Sequence, residues 1–201
     1  MASGLGHLRF RCTGCGNCCR DLRVPLTAAD VRRLTDATAR PAAQLVAWVP
    51  THEVDLVGEP GSLVLLDQPA SPVLMVLAQR EGACMFLGSD ERCTAYAARP
   101  GNCRLYPFDA SFGPRGGIRR LRLLGGTDCE HARDGQNDAH ALRVADERRW
   151  AEHRSYLAQI SDWNRTQRHR SLLGRRLRGA RDFLAFLGFS ETATTLPASG
   201  G

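Results

Sequence analysis

The sequence predicts a small, cysteine-rich α+β domain with short strands and loops, braced by a long C-terminal helix. Eight cysteines are spread from Cys12 to Cys129. Short apolar runs typical of strands lie between the cysteines, and after Asp138 apolar residues recur at helical spacing. With 43% hydrophobic and 24% charged residues in 201, the chain can bury a sizeable core. We therefore expect one domain over residues 1–189 and a disordered tail over 190–201.

Helices are predicted directly after the first cysteine run. Thr27-Ala-Ala-Asp30 has the spacing of a capping box, and Val31 and Leu34 follow on one helical face. This pattern predicts a helix from about Ala28 to Ala39. A proline then allows a second short helix, from Ala42 to Trp48.

The middle of the chain is expected to hold a small sheet. Leu63–Leu66 and Val73–Ala78 are apolar segments that predict two β-strands, and Ile118–Leu124 alternates apolar and Arg residues as a half-exposed strand does. The segment Cys84–Cys93 has the pattern of two short arms around a Gly-Ser-Asp turn. Such a turn would bring the two thiols together.

Two helical patterns dominate the C-terminal part. Tyr156, Ile160 and Trp163 are spaced i, i+4, i+7 and predict a long helix from about Asp138 to Arg168. A second apolar stripe at helical spacing runs from Leu173 to Leu187. This stripe predicts a further helix that ends before Gly188.

The charged residues exclude several chemistries. All 27 basic residues are arginine, so a P-loop lysine, a lysine Schiff base and a Ser-x-x-Lys nucleophile are ruled out. The net charge of +6 comes from one segment, because Arg165–Arg181 contains seven arginines and no acidic residue. A solvated helix face is the simplest interpretation, and contact with a phosphate backbone or an acidic membrane surface is the alternative. With no apolar run long enough for a membrane span and no export signal before the cysteines, we expect a cytoplasmic protein.

The cysteine spacing indicates a metal site. In a reducing compartment, an even set of cysteines favours metal ligands over disulfides or unliganded thiols. Successive Cys-x-x-Cys turns let thiolates converge on one ion. The candidate ligands are Cys12, Cys15, Cys18, Cys19, Cys84, Cys93, Cys103 and Cys129.

Eight thiolates divide into two four-ligand sites, each with a high negative charge that needs compensation. Arg99 and Arg104 lie close to Cys103 in sequence and are expected to donate hydrogen bonds to sulfur. The side chains of the adjacent Cys18 and Cys19 are expected to point apart, which favours separate or bridged centres.

Two histidine-containing segments are weaker candidates. His131 follows Cys129 by two positions and could replace a thiolate, although an exposed loop histidine is the simpler interpretation. His52-Glu53 with Asp55 is an incomplete metal or acid–base set, for which a surface role is the simpler interpretation.

Three motifs together resemble the YkgJ family of cysteine-cluster proteins, described as CxxCxxCC zinc- or iron-chelating domains. They are Phe10-Arg-Cys12-Thr-Gly-Cys15-Gly-Asn-Cys18-Cys19, Cys84-Met-Phe-Leu87 and Cys93-Thr-Ala-Tyr96-Ala-Ala-Arg99-Pro100-Gly-Asn-Cys103-Arg104-Leu-Tyr106-Pro107-Phe108. The likeness spans Phe10 to about Cys129, and Trp163-Asn164 is also similar. It implies metal chelation. A flagellin lysine methylase is similar in its cysteine cluster and is linked to an iron–sulfur centre, which favours iron, but no S-adenosylmethionine site is recognisable here.

The first hypothesis is therefore a metal-binding protein whose cysteines chelate iron, as one or two Fe–S clusters, or zinc. The alternatives are an Fe–S oxidoreductase or methyl-transfer accessory enzyme, and a structural zinc module that presents the basic helix to nucleic acid or a protein partner. Whether the protein is an enzyme stays open, and no catalytic residue is assigned. A redox or other protein partner is compatible with the first hypothesis, whereas nucleic acid is not favoured.

Overall fold

The computed structural model describes residues 9–20, 23–53, 62–67, 72–112, 118–123, 129, 131–135 and 138–189. The predicted tail over 190–201 and the candidate Asp55 lie outside these residues.

The chain has the predicted mixed α+β architecture, with small antiparallel sheets and a long C-terminal helix. The helices are α1 (Ala28–Thr38), α2 (Ala42–Leu45), α3 (Gly101–Leu105), α4 (Ala139–Leu172) and α5 (Ala180–Phe186). The strands are β1 (Arg11–Cys12), β2 (Val46–Pro50), β3 (Leu63–Val64), β4 (Val73–Leu77), β5 (Gln79–Arg80), β6 (Ala83–Cys84), β7 (Phe108–Phe112), β8 (Ile118–Leu123) and β9 (His131–Ala132). They pair as β2-β4-β3, β1-β9, β5-β6 and β7-β8.

Helix α1 begins at the predicted capping box. The Thr27 side chain accepts a hydrogen bond from the Asp30 backbone at 3.2 Å, and the Asp30 carboxylate accepts one from the Thr27 backbone at 2.9 Å. The helix ends at Thr38, and Ala39 takes a left-handed conformation with φ 52°. The prediction of this helix is confirmed. It could be made from the sequence because both ends of the helix are set by local interactions.

The second predicted helix is wrong beyond Leu45. Residues Val46–Pro50 form strand β2, in which Trp48 pairs with Met75 of β4. Residues 46–49 contain two valines and a tryptophan, which favour an extended backbone once a partner strand is present. Strand β4, with all five residues buried, supplies that partner.

The core lies between the β2-β4-β3 sheet and the helices α1, α4 and α5. The predicted stripe of Tyr156, Ile160 and Trp163 is buried in it, each residue with 2% exposure. Helix α4 begins after Asp138, whose side chain accepts a hydrogen bond from the His140 backbone at 2.8 Å. None of the helices in the described part of the chain has the length and apolarity that a bilayer crossing needs.

The second C-terminal helix is shorter than predicted. Residues Leu173–Gly179 form a turn, and only Ala180–Phe186 are helical. Gly174 has φ +65°, a conformation that glycine adopts readily and that ends α4.

Helix α4 is attached to the sheet through side-chain amides. Asn164 accepts a hydrogen bond from the Leu65 backbone N–H at 2.8 Å and donates one to the Leu63 carbonyl at 2.7 Å. The Trp163 indole donates to the Leu65 carbonyl at 2.8 Å. The Trp163-Asn164 pair noted in the sequence therefore forms hydrogen bonds with the backbone of the short strand β3 and of the residue after it.

Candidate metal centre

The N-terminal cysteines lie on a chain segment that turns twice. Cys12 is in β1, and Cys18 and Cys19 are in a 3-10 turn, Asn17–Cys19. Gly14 and Gly16, one in each Cys-x-x-Cys spacer, have φ values of 78° and 71°. These left-handed conformations reverse the backbone within each spacer, which draws successive thiols toward the same region.

The Cys84–Cys93 segment forms the two arms that the sequence predicts. Leu87 and Cys93 are bridge partners, and the Gly88 backbone donates a hydrogen bond to the Arg92 carbonyl at 2.8 Å. An ion pair between Arg20 and Glu91 connects these arms to the N-terminal run, and it lies beside the buried Gly16.

Cys103 is carried by α3, whose start is fixed from a distance. The Asp30 carboxylate accepts a hydrogen bond from the Gly101 backbone at 2.8 Å. The Asn102 side chain donates to the Pro25 carbonyl at 3.2 Å. These contacts hold α3 against the start of α1.

Cys129 returns to the N-terminal run beside the β1-β9 pair, in which Cys12 lies opposite His131. The Cys129 thiol forms a hydrogen bond with Cys15 and lies close enough to Cys12 for a direct electrostatic effect. His131 is half-buried in β9, not exposed in a loop as expected, because its ring stacks on Phe10 at 5.2 Å. Its Nδ1 lies 3.0 Å from the Cys129 carbonyl oxygen.

The eight cysteines are all free thiols, and they come together from four parts of the chain. Six of them line one cleft of about 910 Å³: Cys12, Cys18, Cys19, Cys84, Cys93 and Cys103. The remaining two cysteines are next to these six, because Cys15 lies between Cys12 and Cys18 in the chain and Cys129 contacts Cys15. The distant cysteines thus fold back on the N-terminal run.

The expectation that Cys18 and Cys19 point apart is wrong. Their sulfur atoms are 4.0 Å apart, and Cys19 also forms a hydrogen bond with Cys84. The tight 3-10 turn brings the neighbouring side chains to one side. Two thiolates on one tetrahedral zinc would be about 3.8 Å apart, given metal–sulfur bonds of about 2.3 Å.

The thiols fall into two electrostatic classes. The Cys19 thiol lies between Cys18 and Cys84 and shares its single proton with them, which lowers the pKa of each to about 7 and raises the pKa of Cys19 itself. The Arg99 charge further lowers the pKa of Cys18, and the Phe86 backbone N–H does so for Cys84.

The other shifted thiols hold their protons more tightly. Burial raises the pKa of Cys103 to about 12 and that of Cys129 to about 11, and it also raises the pKa of Cys93. At neutral pH the metal-free site therefore contains both thiolates and thiols.

The two candidate arginines act differently. The Arg99 guanidinium stacks on the Tyr96 ring at 3.6 Å, and its charge acts on Cys18, Cys93 and Cys103. Arg104 donates hydrogen bonds to the carbonyls of Arg99 and Ala97, at 2.8 and 2.5 Å. Arg104 thus fixes the backbone that carries Arg99, and the described contacts of its side chain are to carbonyl oxygens, not to sulfur.

The remaining candidates lie outside the cleft. Thr51–Glu53 form a 3-10 turn with Glu53 exposed, and the described residues of this turn do not line the cleft. Sequence reasoning treated Asp30 only as a helix cap and so missed its role at α3. No local signal could reveal it, because its partner is 71 residues away.

The donor set fits a soft metal, although its geometry is open. Within the described ranges, no three His, Cys, Asp or Glu side chains surround one point closely enough to hold a metal ion. Thiolates are nevertheless the ligands preferred by zinc and by iron–sulfur centres. The cleft could accept such a group between the sulfurs.

Comparison with known proteins agrees with this donor set. A family model described as "CxxCxxCC: Putative zinc- or iron-chelating domain" matches residues 11–117, which is more than half of the chain. The match includes every cysteine except Cys129. Among curated proteins and among solved structures, no significant match is found. The chain belongs to the CxxCxxCC family of zinc- or iron-chelating domains.

Proposed function

We propose that this protein binds iron through its eight cysteines, in the form of iron–sulfur clusters. The observation that carries the proposal is the open arrangement of six thiols around one cleft of about 910 Å³. A structural zinc ion draws four ligands to a single point, whereas a cluster holds its cysteines apart with inorganic atoms between them. Thiols that share a cleft without closing on one point favour the cluster.

The contacts between thiols suggest two adjacent centres. Cys129 is coupled electrostatically to Cys12, Cys15 and Cys18. Cys84 contacts Cys19, and Cys84, Cys18 and Cys93 all act electrostatically on Cys103, so the adjacent Cys18 and Cys19 lie where the two centres meet. We assign Cys12, Cys15, Cys18 and Cys129 to one centre, and Cys19, Cys84, Cys93 and Cys103 to the other.

The proposal has consequences for charge and location. Each set of four thiolates carries a high negative charge, which Arg99 offsets from its position near Cys18 and Cys103. Open thiols of this number are maintained in a reducing compartment, so we propose a cytoplasmic protein. We further propose that residues 1–189 form one domain.

An iron–sulfur oxidoreductase is a second candidate, favoured by the size of the cleft. Its volume lies in the range of about 300–1,000 Å³ that is usual for small-molecule sites. Two half-exposed aromatic rings, Tyr96 and Trp150, line it beside stacked guanidiniums of Arg99 and Arg149. A redox substrate or partner molecule would fit next to the thiols.

Anaerobic purification tests the first proposal. We expect a coloured protein that contains iron and acid-labile sulfide, and whose visible absorption bleaches with dithionite. A colourless protein that contains stoichiometric zinc and no sulfide would contradict the proposal, while leaving metal binding intact. A cluster-bearing protein that turns over no redox substrate would leave the oxidoreductase candidate without support.

A further inference from the structure

The turn between α4 and α5 forms an exposed tip with two leucines on it. All residues from Ser171 to Arg176 are exposed. Leu172 is 85% exposed and Leu173 is 54% exposed. Neither residue lines the cysteine cleft, so this surface is separate from the candidate metal centre.

The tip is held in a fixed shape by hydrogen bonds at its base. Arg170 donates two hydrogen bonds to the Arg176 carbonyl, at 3.0 and 2.8 Å, and its own carbonyl accepts one from the Arg175 backbone at 2.9 Å. Gln167 is 1% exposed, and its amide donates to the Arg178 carbonyl and accepts from the Arg178 backbone. The exposure of the leucines is therefore a property of an ordered turn.

Arginines flank the two leucines along the chain. Residues 165–181 include seven arginines and no acidic residue. Arg165 pairs with Asp162, and Arg176 pairs with Asp67 at 3.3 Å. In the part of the chain that the structure describes, Arg168, Arg175 and Arg178 have no carboxylate partner, so their charges face solvent.

We propose that this basic tip, residues 168–178, docks on a lipid bilayer with anionic headgroups. The two leucines enter the interfacial layer, and the flanking guanidiniums bind lipid phosphates. Exposed aliphatic side chains flanked by arginines are typical of segments that bind at the interface of an anionic membrane.

The other kinds of partner fit the tip less well. Two leucines offer little apolar area for a protein interface, and residues 168–178 contain neither Trp nor Tyr, the aromatic residues that are enriched at the energetic centres of interfaces. Phe, Tyr and Trp, the side chains on which bases stack most strongly in single-stranded nucleic acid complexes, do not occur between residues 168 and 178. The aliphatic pair, by contrast, is suited to an acyl-chain boundary.

Co-sedimentation of the intact metal-loaded protein with vesicles tests the proposal. One set of vesicles contains equal parts of phosphatidylglycerol and phosphatidylcholine, and the other contains phosphatidylcholine alone. We expect binding to the anionic vesicles that weakens as salt is raised, and little binding to the neutral ones. L172S/L173S and R175Q/R178Q should each weaken binding to anionic vesicles by about tenfold or more.

R80Q/R154Q is the matched control, because it removes two exposed arginines elsewhere and gives the same net charge as R175Q/R178Q. It should bind anionic vesicles within about twofold of the wild-type protein, and circular dichroism should show all variants folded. Equal loss in R80Q/R154Q, equal binding to neutral vesicles, or no vesicle binding at all would overturn the proposal. Tight binding to a DNA duplex that R175Q/R178Q weakens and L172S/L173S leaves unchanged, with weak vesicle binding, would assign the tip to nucleic acid instead.

Discussion

The Asp30 carboxylate accepts a hydrogen bond from the Gly101 backbone N–H at 2.8 Å, across 71 residues of sequence. The same carboxylate caps α1 and pairs with Arg33, and Arg33 also binds Glu152 of α4 at 2.7 Å. Asp30 is only 3% exposed. One buried acid therefore connects α1, α4 and the helix that carries Cys103.

Replacing this acid should be costly for stability. Asp30→Ala removes half of the capping box of α1 and leaves the Gly101 backbone N–H without its acceptor, while Arg33 keeps Glu152 as its partner. We therefore expect a loss of about 2–4 kcal/mol in the free energy of unfolding. Asp36→Ala, on the exposed face of the same helix, is the control and should change stability by less than about 0.5 kcal/mol. Urea unfolding measures both values, and equal effects of the two substitutions would refute the role given to Asp30.

Substitutions in the two proposed centres should each remove part of the metal. Cys103→Ser and Cys129→Ser fall in different centres, so each variant should retain about half of the iron, and the double variant should retain almost none. Iron and sulfide per polypeptide measure the result. Full retention of iron by Cys103→Ser would place this thiol outside the ligand set.

The metal-free thiols should differ in reactivity. Thiolates are the nucleophiles, and the pKa of Cys84 is about 7 whereas that of Cys103 is about 12. At neutral pH iodoacetamide should modify Cys84 much faster than Cys103, as measured by peptide mass spectrometry. Cys19→Ala removes the hydrogen-bond donor and should slow the modification of Cys84, whereas Cys19→Ser keeps a donor and should slow it less. Equal rates at Cys84 and Cys103 would contradict the described electrostatics.

Metal uptake should release protons and strengthen with pH. Cys103 and Cys129, with pKa values of about 12 and 11, are protonated at neutral pH and must lose their protons to become ligands. The apparent affinity should therefore rise as the pH increases from 6 to about 9, and fall on acidification. Calorimetric titration with Zn²⁺ in buffers of different ionisation enthalpy counts the protons. A pH-independent affinity without proton release would exclude these two thiols as ligands.

How far sequence could predict the fold depended on the range of the interactions. The start of α1 and the buried stripe of α4 were predictable, because a capping box and helical spacing act within a few residues. Strand β2 was not, since Val46–Pro50 become extended only by pairing with β4. The short strand β3 also depends on a distant element, because Asn164 of α4 forms hydrogen bonds with the backbone of Leu63 and Leu65.

The candidate site followed the same rule. Cysteine spacing identified all eight thiols, and the turn between Cys84 and Cys93 was predictable from local residues. The sequence did not predict that the side chains of Cys18 and Cys19 lie on the same side, because this depends on the 3-10 turn and on the approach of Cys84. The buried link from Asp30 to α3 was also beyond reach, since it joins residues with no local relationship.

Gly16 shows that the residues between the cysteines of the motif cannot be chosen freely. Its backbone has φ +71°, and an added Cβ would lie 2.5 Å from the Glu91 carboxylate and 2.7 Å from the Arg20 guanidinium. A larger residue would strain the backbone and separate the ion pair that joins two cysteine-bearing segments. A designer who transplants this motif should therefore copy Cys-x-Gly-Cys-Gly-x-Cys-Cys, together with the Arg–Glu pair beside it, rather than the cysteine spacing alone.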